Sequence, residues 1–216
     1  MDLPLFQGMS HEKVSELIEK TKFHFLKFNA GDKVIITGES CEYVRFLISG
    51  SLKIIYNMHD ADVSLSSVIS APAVVGIEYL FGKERSYPFS AVANTDCAVL
   101  QISKNDYVTI LQSDNVFLFN LVNLLSHASQ KSVCSVVAAD GSVASRLALD
   151  VMMLTAARST NIRFEFKQKD LCLRLGVQRP TLINALDNLQ DAGVITYDAT
   201  SISIPDRDSF LAYTLK

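Results

Sequence analysis

A chain of 216 residues, 49% of them apolar and 20% charged, is long enough for one or two ordinary hydrophobic cores and lacks the composition of a disordered chain. Its formal charge of −3 excludes a protein that coats nucleic acid indiscriminately, but leaves room for a local basic patch. No run of eighteen apolar residues occurs, and the start "MDLPLFQGMSHEK" has an acidic second residue and no apolar signal core, so a cytoplasmic protein with no membrane partner is expected.

From about Phe23 to Ile102, short runs of Val, Ile, Phe and Tyr alternate with turn residues, as in "DKVIITGES", "YVRFLISGSLKIIYN", "DVSLSSVIS" and "AVANTDCAVLQIS". The pattern predicts a sandwich or barrel of antiparallel strands. Ser49-Gly50 lies between two strand-like runs, which predicts a tight hairpin and a two-stranded ribbon; Gly31 and Gly38 are placed in similar turns. The four cysteines, Cys41, Cys97, Cys134 and Cys172, are dispersed. They match neither a disulfide framework nor the spacing of a zinc or iron–sulfur site, and read as small buried apolar residues, with no metal site expected.

The rhythm then changes. "SKND" places Ser103 three residues before Asp106, a capping-box pattern that opens a helix. After Ser113-Asp114, "NVFLFNLVNLLSHASQKSVCSVV" runs without proline or glycine and predicts one helix of about six turns. Phe117, Leu121, Leu124 and Ala128 form one stripe, and Leu118, Val122 and Leu125 an adjacent second. One stripe suits the strand domain and leaves the other for a partner, which predicts a dimer; the competing reading is a single helix buried in one monomeric core. In "AADGSVASR" either Asp140 or Ser142 caps a new helix over 143 to 157. A strand "IRFEF", two short helices and two strands, "GVITYD" and "SISIP", follow.

The stretch "KDLCLRLGVQRPTLINALDNL" carries the chemistry. Asp170, Leu171 and Leu175 fit a helix of two turns that Gly176 closes, and Pro180 belongs in the first turn of the next helix, where its missing donor is harmless. Leu182, Leu186 and Leu189 share one face and can meet Leu171, Leu175 and Val177, the pattern of a helix-turn-helix. The second helix then offers Gln178, Arg179, Thr181 and Asn184 at its amino-terminal end, residue types that read base edges in a major groove. Lys167, Gln168 and Lys169, at the start of the first helix, are placed to hold backbone phosphates. Arg163, Lys167, Lys169, Arg174 and Arg179 against Glu165 and Asp170 leave a local charge of +3 over residues 163 to 179. The competing reading is a helical hairpin whose polar ends are merely solvated.

With these segments together, and with "LISGSLKI", "VVGIEYLFG" and "LCLRLGVQRPTLINALDNLQDAGVI", the chain resembles the Crp/Fnr superfamily of bacterial regulators over essentially its whole length. The resemblance implies an α+β protein: a cyclic-nucleotide-binding-like antiparallel β-roll (jelly roll) over 1–112 as effector domain, a dimerisation helix over 113–138, and a winged helix-turn-helix over 139–216. It further implies a homodimer on a near-palindromic double-stranded DNA operator, contact with RNA polymerase, and a dimer helix using Phe117, Leu121, Leu124, Leu125 and Ala128. Arg179 matches the base-reading arginine of the family, whereas Pro180 replaces its next acidic residue and Asn184 a later arginine, which implies a different half-site.

The effector pocket departs further from the family pattern. The phosphate cassette of the family has Gly-Glu at its start and Arg-Ser near its end. Here Ile77 separates Gly76 from Glu78, and counting back from "ANTDC" puts Tyr87-Pro88, and not Arg85-Ser86, in the matching position. A buried phosphate without its guanidinium is costly, so the expected control is by an effector, redox or gas signal other than a cyclic nucleotide. The amino-terminal cysteine group of oxygen-sensing relatives is missing. Haem stays open, with His127, His59, Cys97 or a methionine as ligand, and no role is assigned to any of them. No phosphate loop, nucleophile elbow or zinc-ligand helix marks an enzyme. The alternative function is a ligand-binding regulatory protein, for a cyclic nucleotide or haem, acting on a protein partner.

Overall fold

The computed structural model describes residues 4–58, 62–138 and 140–215. In chain order it contains α1 (His11–Lys20), β1 (Phe23–Phe28), β2 (Lys33–Ile35), β3 (Tyr43–Ser49), β4 (Ser51–Met58), β5 (Val63–Ser70), β6 (Ala73–Val75), a 3-10 turn (Ile77–Tyr79), β7 (Ser90–Ala93), β8 (Cys97–Ser103), α2 (Lys104–Ser113) and α3 (Asn115–Ala138). Then follow α4 (Val143–Leu154), β9 (Thr160–Phe166), α5 (Gln168–Leu175), α6 (Arg179–Asp191), β10 (Thr196–Tyr197), β11 (Ser201–Ile204) and α7 (Arg207–Thr214). The chain folds as two compact units. One takes the sequence up to Leu52 and again over Ser70–Ser129; the other takes Lys53–Ile69 and the sequence from Gln130 on.

The first unit is built on an antiparallel sheet in the order β1-β8-β3-β6, with β2 paired to β7, so the fold is α+β with open sheets. Register runs from Phe23 opposite Ile102 to Phe28 opposite Cys97 on one side of β8, and Tyr43 faces Ser103 on the other. Ser103 caps α2 by accepting from the Asp106 amide at 3.1 Å, and the Asp114 carboxylate accepts from Phe117 at the start of α3 at 3.0 Å. Phe117 and Leu121 are buried. The Phe117 ring meets Phe6 at 5.1 Å and Tyr107 at 5.4 Å, and Phe6 in turn meets Phe46 of β3 at 5.5 Å. One stripe of α3 is thus consumed inside this unit, while Leu118 and Val122 of the adjacent stripe are exposed.

One expectation is corrected here. Gly50 does not close a hairpin: β3 pairs with β8 and β6, whereas β4 lies beside β5 in another sheet. Both flanks of β3 are taken, so no edge is left for β4. Glycine is required at this corner because a Cβ would meet the Asp96 carbonyl oxygen at 2.3 Å and Cys97 Cβ at 2.7 Å, at a φ of +79°.

In the second unit the strands lie in the order β10-β11-β9-β5-β4. Their core joins Val63 and Leu65 to Leu147 and Val151 of α4, Phe164 and Phe166 of β9, Leu171 and Leu175 of α5, Leu182, Leu186 and Leu189 of α6, and Phe210 of α7. Of the two candidate caps for α4, Ser142 accepts from the Ser145 amide at 3.1 Å, and Asp140 braces the turn by accepting from Ser142 at 2.8 Å. The helix ends at Leu154, earlier than the spacing suggests. Thr155 takes an extended conformation there and holds the buried Arg207, whose Nε donates to Thr155 Oγ1 at 2.8 Å. No single helix among the described residues is long and apolar enough to cross a membrane.

Candidate nucleic-acid interface

The helix-turn-helix is assembled by local chemistry. Gly176 ends α5 at φ +62°, its amide reaching Leu173 O while the Val177 amide reaches Cys172 O, a closure that a side chain would strain. Arg146 Nη1 ties α4 to the turn by donating to Leu175 O. Gln178 then precedes α6 in extended conformation with no side-chain capping bond, and Pro180 occupies the first turn. Because Leu182, Leu186 and Leu189 are buried, the helix is fixed in rotation, and Gln178, Arg179, Thr181 and Asn184 are all exposed. Among the described residues no ion pair involves Arg179 or the exposed Lys169.

The other basic residues of the patch have internal partners. Arg174 makes a fork on Asp150, with Nη2 at 2.5 Å and Nε at 3.2 Å. Burial pushes the Asp150 carboxyl up, and the Arg174 guanidinium opposes it. Arg163 donates to Ser201 Oγ at 3.0 Å and lies 3.5 Å from Glu165. Lys167 Nζ bonds Asp62, which sequence reading did not bring near the site. Lys167 caps α5 without a side-chain bond; Gln168, half-buried, and Lys169 open the helix and carry its first amides.

The acidic half of α6 is tied to the wing. Tyr197 of β10 donates its hydroxyl to Asp187 at 2.5 Å and its amide to Gln190 Oε1 at 3.2 Å, and the bond to Asp187 pushes the phenol pKa up. In the wing turn, Asp198 accepts from the amides of Thr200 and Ser201 at 2.7 Å each, and from Ser201 Oγ at 2.8 Å. These bonds, led by the Thr200 amide, hold its carboxyl down at about 2.

Of the pocket residues named from sequence, Gly76 and Tyr87 come together and the others do not join them. Glu78, Arg85 and Ser86 are exposed, and the backbone of Arg85 and Ser86 is used up in pairing with Ser40 and Cys41. Tyr87 turns inward instead, 1% exposed, beside Tyr79 at 6.2 Å and Phe89 at 5.5 Å. Its ring touches the turn so closely that a Cβ on Gly76 would lie 2.6 Å from Tyr87 Cε1. The Cys41 thiol donates to Tyr87 Oη at 2.9 Å, and Oη donates to Tyr43 O at 3.4 Å. Arg45 lies over the same ring at 5.6 Å and bonds Glu39 at 2.7 Å. Burial pushes both the Cys41 thiol and the Tyr87 phenol up, so both are neutral. Sequence reading gave Cys41 as a small buried residue without a partner and missed Arg45, for which a lone arginine in the apolar run "YVRFLIS" was the available signal.

Of the haem ligands left open, His127 is exposed on α3, Cys97 is buried in the first unit, and His59 lies outside the described residues. Among the described residues no group of three or more His, Cys, Asp or Glu is arranged to hold a metal ion.

A cyclic nucleotide-binding domain model matches residues 25–114, and a Crp-like helix-turn-helix domain model matches residues 143–213. Among solved structures, the catabolite activator protein of Thermus thermophilus is 18% identical, covers 99% of this chain and 100% of that one, and has a TM-score of 0.57, a likeness that shows the fold. A transcriptional regulator from Thermotoga maritima is 21% identical over 54% of this chain and 89% of that one, with a TM-score of 0.48. DNR from Pseudomonas aeruginosa is 21% identical over 97% of this chain and 93% of that one, with a TM-score of 0.43. No curated protein matches the sequence. A cyclic nucleotide-binding domain followed by a Crp-like helix-turn-helix is the domain pairing of a transcription regulator. The chain belongs to the Crp/Fnr superfamily of DNA-binding regulators.

Proposed function

We propose that the protein acts in the cytoplasm as a homodimer on a near-palindromic operator, reading bases with Arg179 foremost and with Gln178, Thr181 and Asn184 beside it. The observation that carries this reading is the polar tip of α6. Its leucine face is buried, its first-turn side chains are exposed, and Arg179 has no acidic partner among the described residues. Arg in this position bonds both acceptors of a guanine, and Gln or Asn the donor and acceptor of an adenine. Lys167, Gln168 and Lys169 take phosphates. In this reading residues 1–112 sense, 113–138 pair the subunits and 139–216 bind DNA.

Subunit pairing falls to the outer stripe of α3. Phe117 and Leu121 are already buried in their own unit, so a partner meets exposed Leu118 and Val122, with half-buried Leu124, Leu125 and Ala128 beside them. Two tips then enter successive grooves about 34 Å apart. RNA polymerase contact completes the reading by analogy with the superfamily. In this reading the signal is one other than a cyclic nucleotide, because Arg85 and Ser86, the pair that would hold its phosphate, are exposed while Tyr87 is buried against the Gly76 turn.

The test is binding of the purified protein to operator fragments selected from random duplexes. Arg179→Ala should cut the preference for operator over random DNA by about 5- to 150-fold, the equivalent of one bidentate contact at about 1–3 kcal/mol. An unchanged preference would overturn the assignment.

A further inference from the structure

Residues 53–69 sit in the middle of the stretch that matches the cyclic nucleotide-binding model, yet they fold with the DNA-binding unit. Strand β5 adds to the edge of β9 in an antiparallel ladder, from Val63 opposite Phe166 to Ser66 opposite Arg163. The other edge of β9 is taken by β11, with Ile202 opposite Phe164. Val63 and Leu65 are 2% and 1% exposed in the same core as Phe164, Phe166 and Leu171. Burying apolar side chains to this degree favours the folded unit, so β5 is part of this unit's fold and no passing contact.

The ladder dictates what happens at its end. Carried one step past Val63 and Phe166, the antiparallel register sets Asp62 opposite Lys167. The two side chains do bond there. Lys167 is also the residue that precedes α5, at the mouth of the phosphate-holding helix start. Both partners stay open to solvent, with side chains 72% and 69% exposed, so a DNA phosphate can reach the lysine from outside.

We infer that Asp62 is a built-in competitor of DNA phosphate for Lys167, held in place by strand β5. The inference rests on the DNA-binding reading above. In free protein the carboxylate satisfies the ammonium; on DNA the lysine must exchange it for a phosphate, and the displaced Asp62 stays beside the backbone as a like charge. Because the pair is exposed and screened, the exchange is easy and the effect is graded. Chain connectivity gives it a regulatory use. Leu52 and Ser70, which flank this segment, belong to the first unit, so a change there that shifts β5 alters how far Lys167 is available.

The experiment is fluorescence anisotropy of the full-length protein with operator and random duplexes across a potassium chloride series. Asp62→Asn should tighten binding to both duplexes by about three- to tenfold at low salt, and steepen the log–log salt dependence by about one ion. The operator preference should not change, since phosphate contacts carry no sequence information. In a Lys167→Gln background the gain from Asp62→Asn should vanish. Unchanged affinity and slope in Asp62→Asn, or a gain that persists without Lys167, would overturn the inference while leaving the DNA-binding reading intact. Wild-type protein that binds neither duplex at any salt would overturn both.

Discussion

The tip of α6 and the pocket around Gly76 hold comparable sets of polar groups and treat them in opposite ways. At the tip, Gln178 makes no capping bond, and Gln178, Arg179, Thr181 and Asn184 all face solvent. Around Gly76 most groups are matched to each other: the Cys41 thiol to Tyr87, Tyr87 to Tyr43 O, and Arg45 to Glu39 and the Tyr87 ring, with Arg45 Nη1 alone among them buried and without a hydrogen-bond partner. A surface that reads a partner keeps its donors free and holds them with apolar packing behind. A closed interior can do so only at a cost of about 1–3 kcal/mol for each unsatisfied buried donor, and Arg45 Nη1 is one such group here. The first region is built to bind what is outside it, and the second is filled by its own side chains.

If that contrast is right, the packing behind the tip can be weakened without touching a polar group. Leu65→Ala, in β5, removes a side chain from the core under the helix-turn-helix and should lower the stability of that unit by about 2–5 kcal/mol. Chemical denaturation would read the loss. Protein that remains folded should keep its operator preference, and a preference lost along with the leucine would show that β5 also shapes the reading surface. The pocket side gives the next effect. Gly76→Ala forces a Cβ against the Tyr87 ring at a φ of +64° and should cost about 2–4 kcal/mol, summing overpacking and left-handed strain. Operator preference should again hold. A stable Gly76→Ala protein would mean that the aromatic cluster has room to move, and with it room for a ligand.

What could be read from sequence follows the range of the interactions. The helix-turn-helix was legible because its determinants are local: leucines at helical spacing, Gly176 at the left-handed position, and Pro180 where a missing donor does no harm. The inward turn of Tyr87 was not legible, because counting back from "ANTDC" only puts Tyr87-Pro88 in the slot of the family's arginine and serine and says nothing of which way the ring points. Gly50 misled because a glycine at positive φ serves a hairpin and a crowded corner equally, and only the approach of Asp96 and Cys97 tells them apart. The short helices α1 and α7 escaped although each has its cap, Ser10 and Asp206, because neither shows a long apolar stripe. The ladder of β5 on β9 left no trace at all. Ser66 and Arg163 are 97 positions apart, and edge pairing between such strands is written in backbone groups that every residue carries.

The smallest effect concerns how the tip's flank is held, and acid isolates it. Asp198 organises the wing turn through the amides of Thr200 and Ser201, and these bonds keep its carboxyl at about 2, below the ordinary 3.8. A carboxyl lowered on folding adds stability that is fully present above the unfolded value and is lost as pH falls through the folded one. The wing turn should therefore hold at neutral pH and loosen between about pH 4 and pH 2. Amide exchange at Thr200 and Ser201, followed as the pH is lowered, should show that loosening in the wild-type protein. Asp198→Asn keeps an acceptor but no charge, so its exchange rates, corrected for the intrinsic effect of acid, should stay level over the same range. Parallel curves for the two proteins would mean that the turn is held by its backbone and by Tyr197 on Asp187, and that the carboxylate contributes nothing to the posture of the wing.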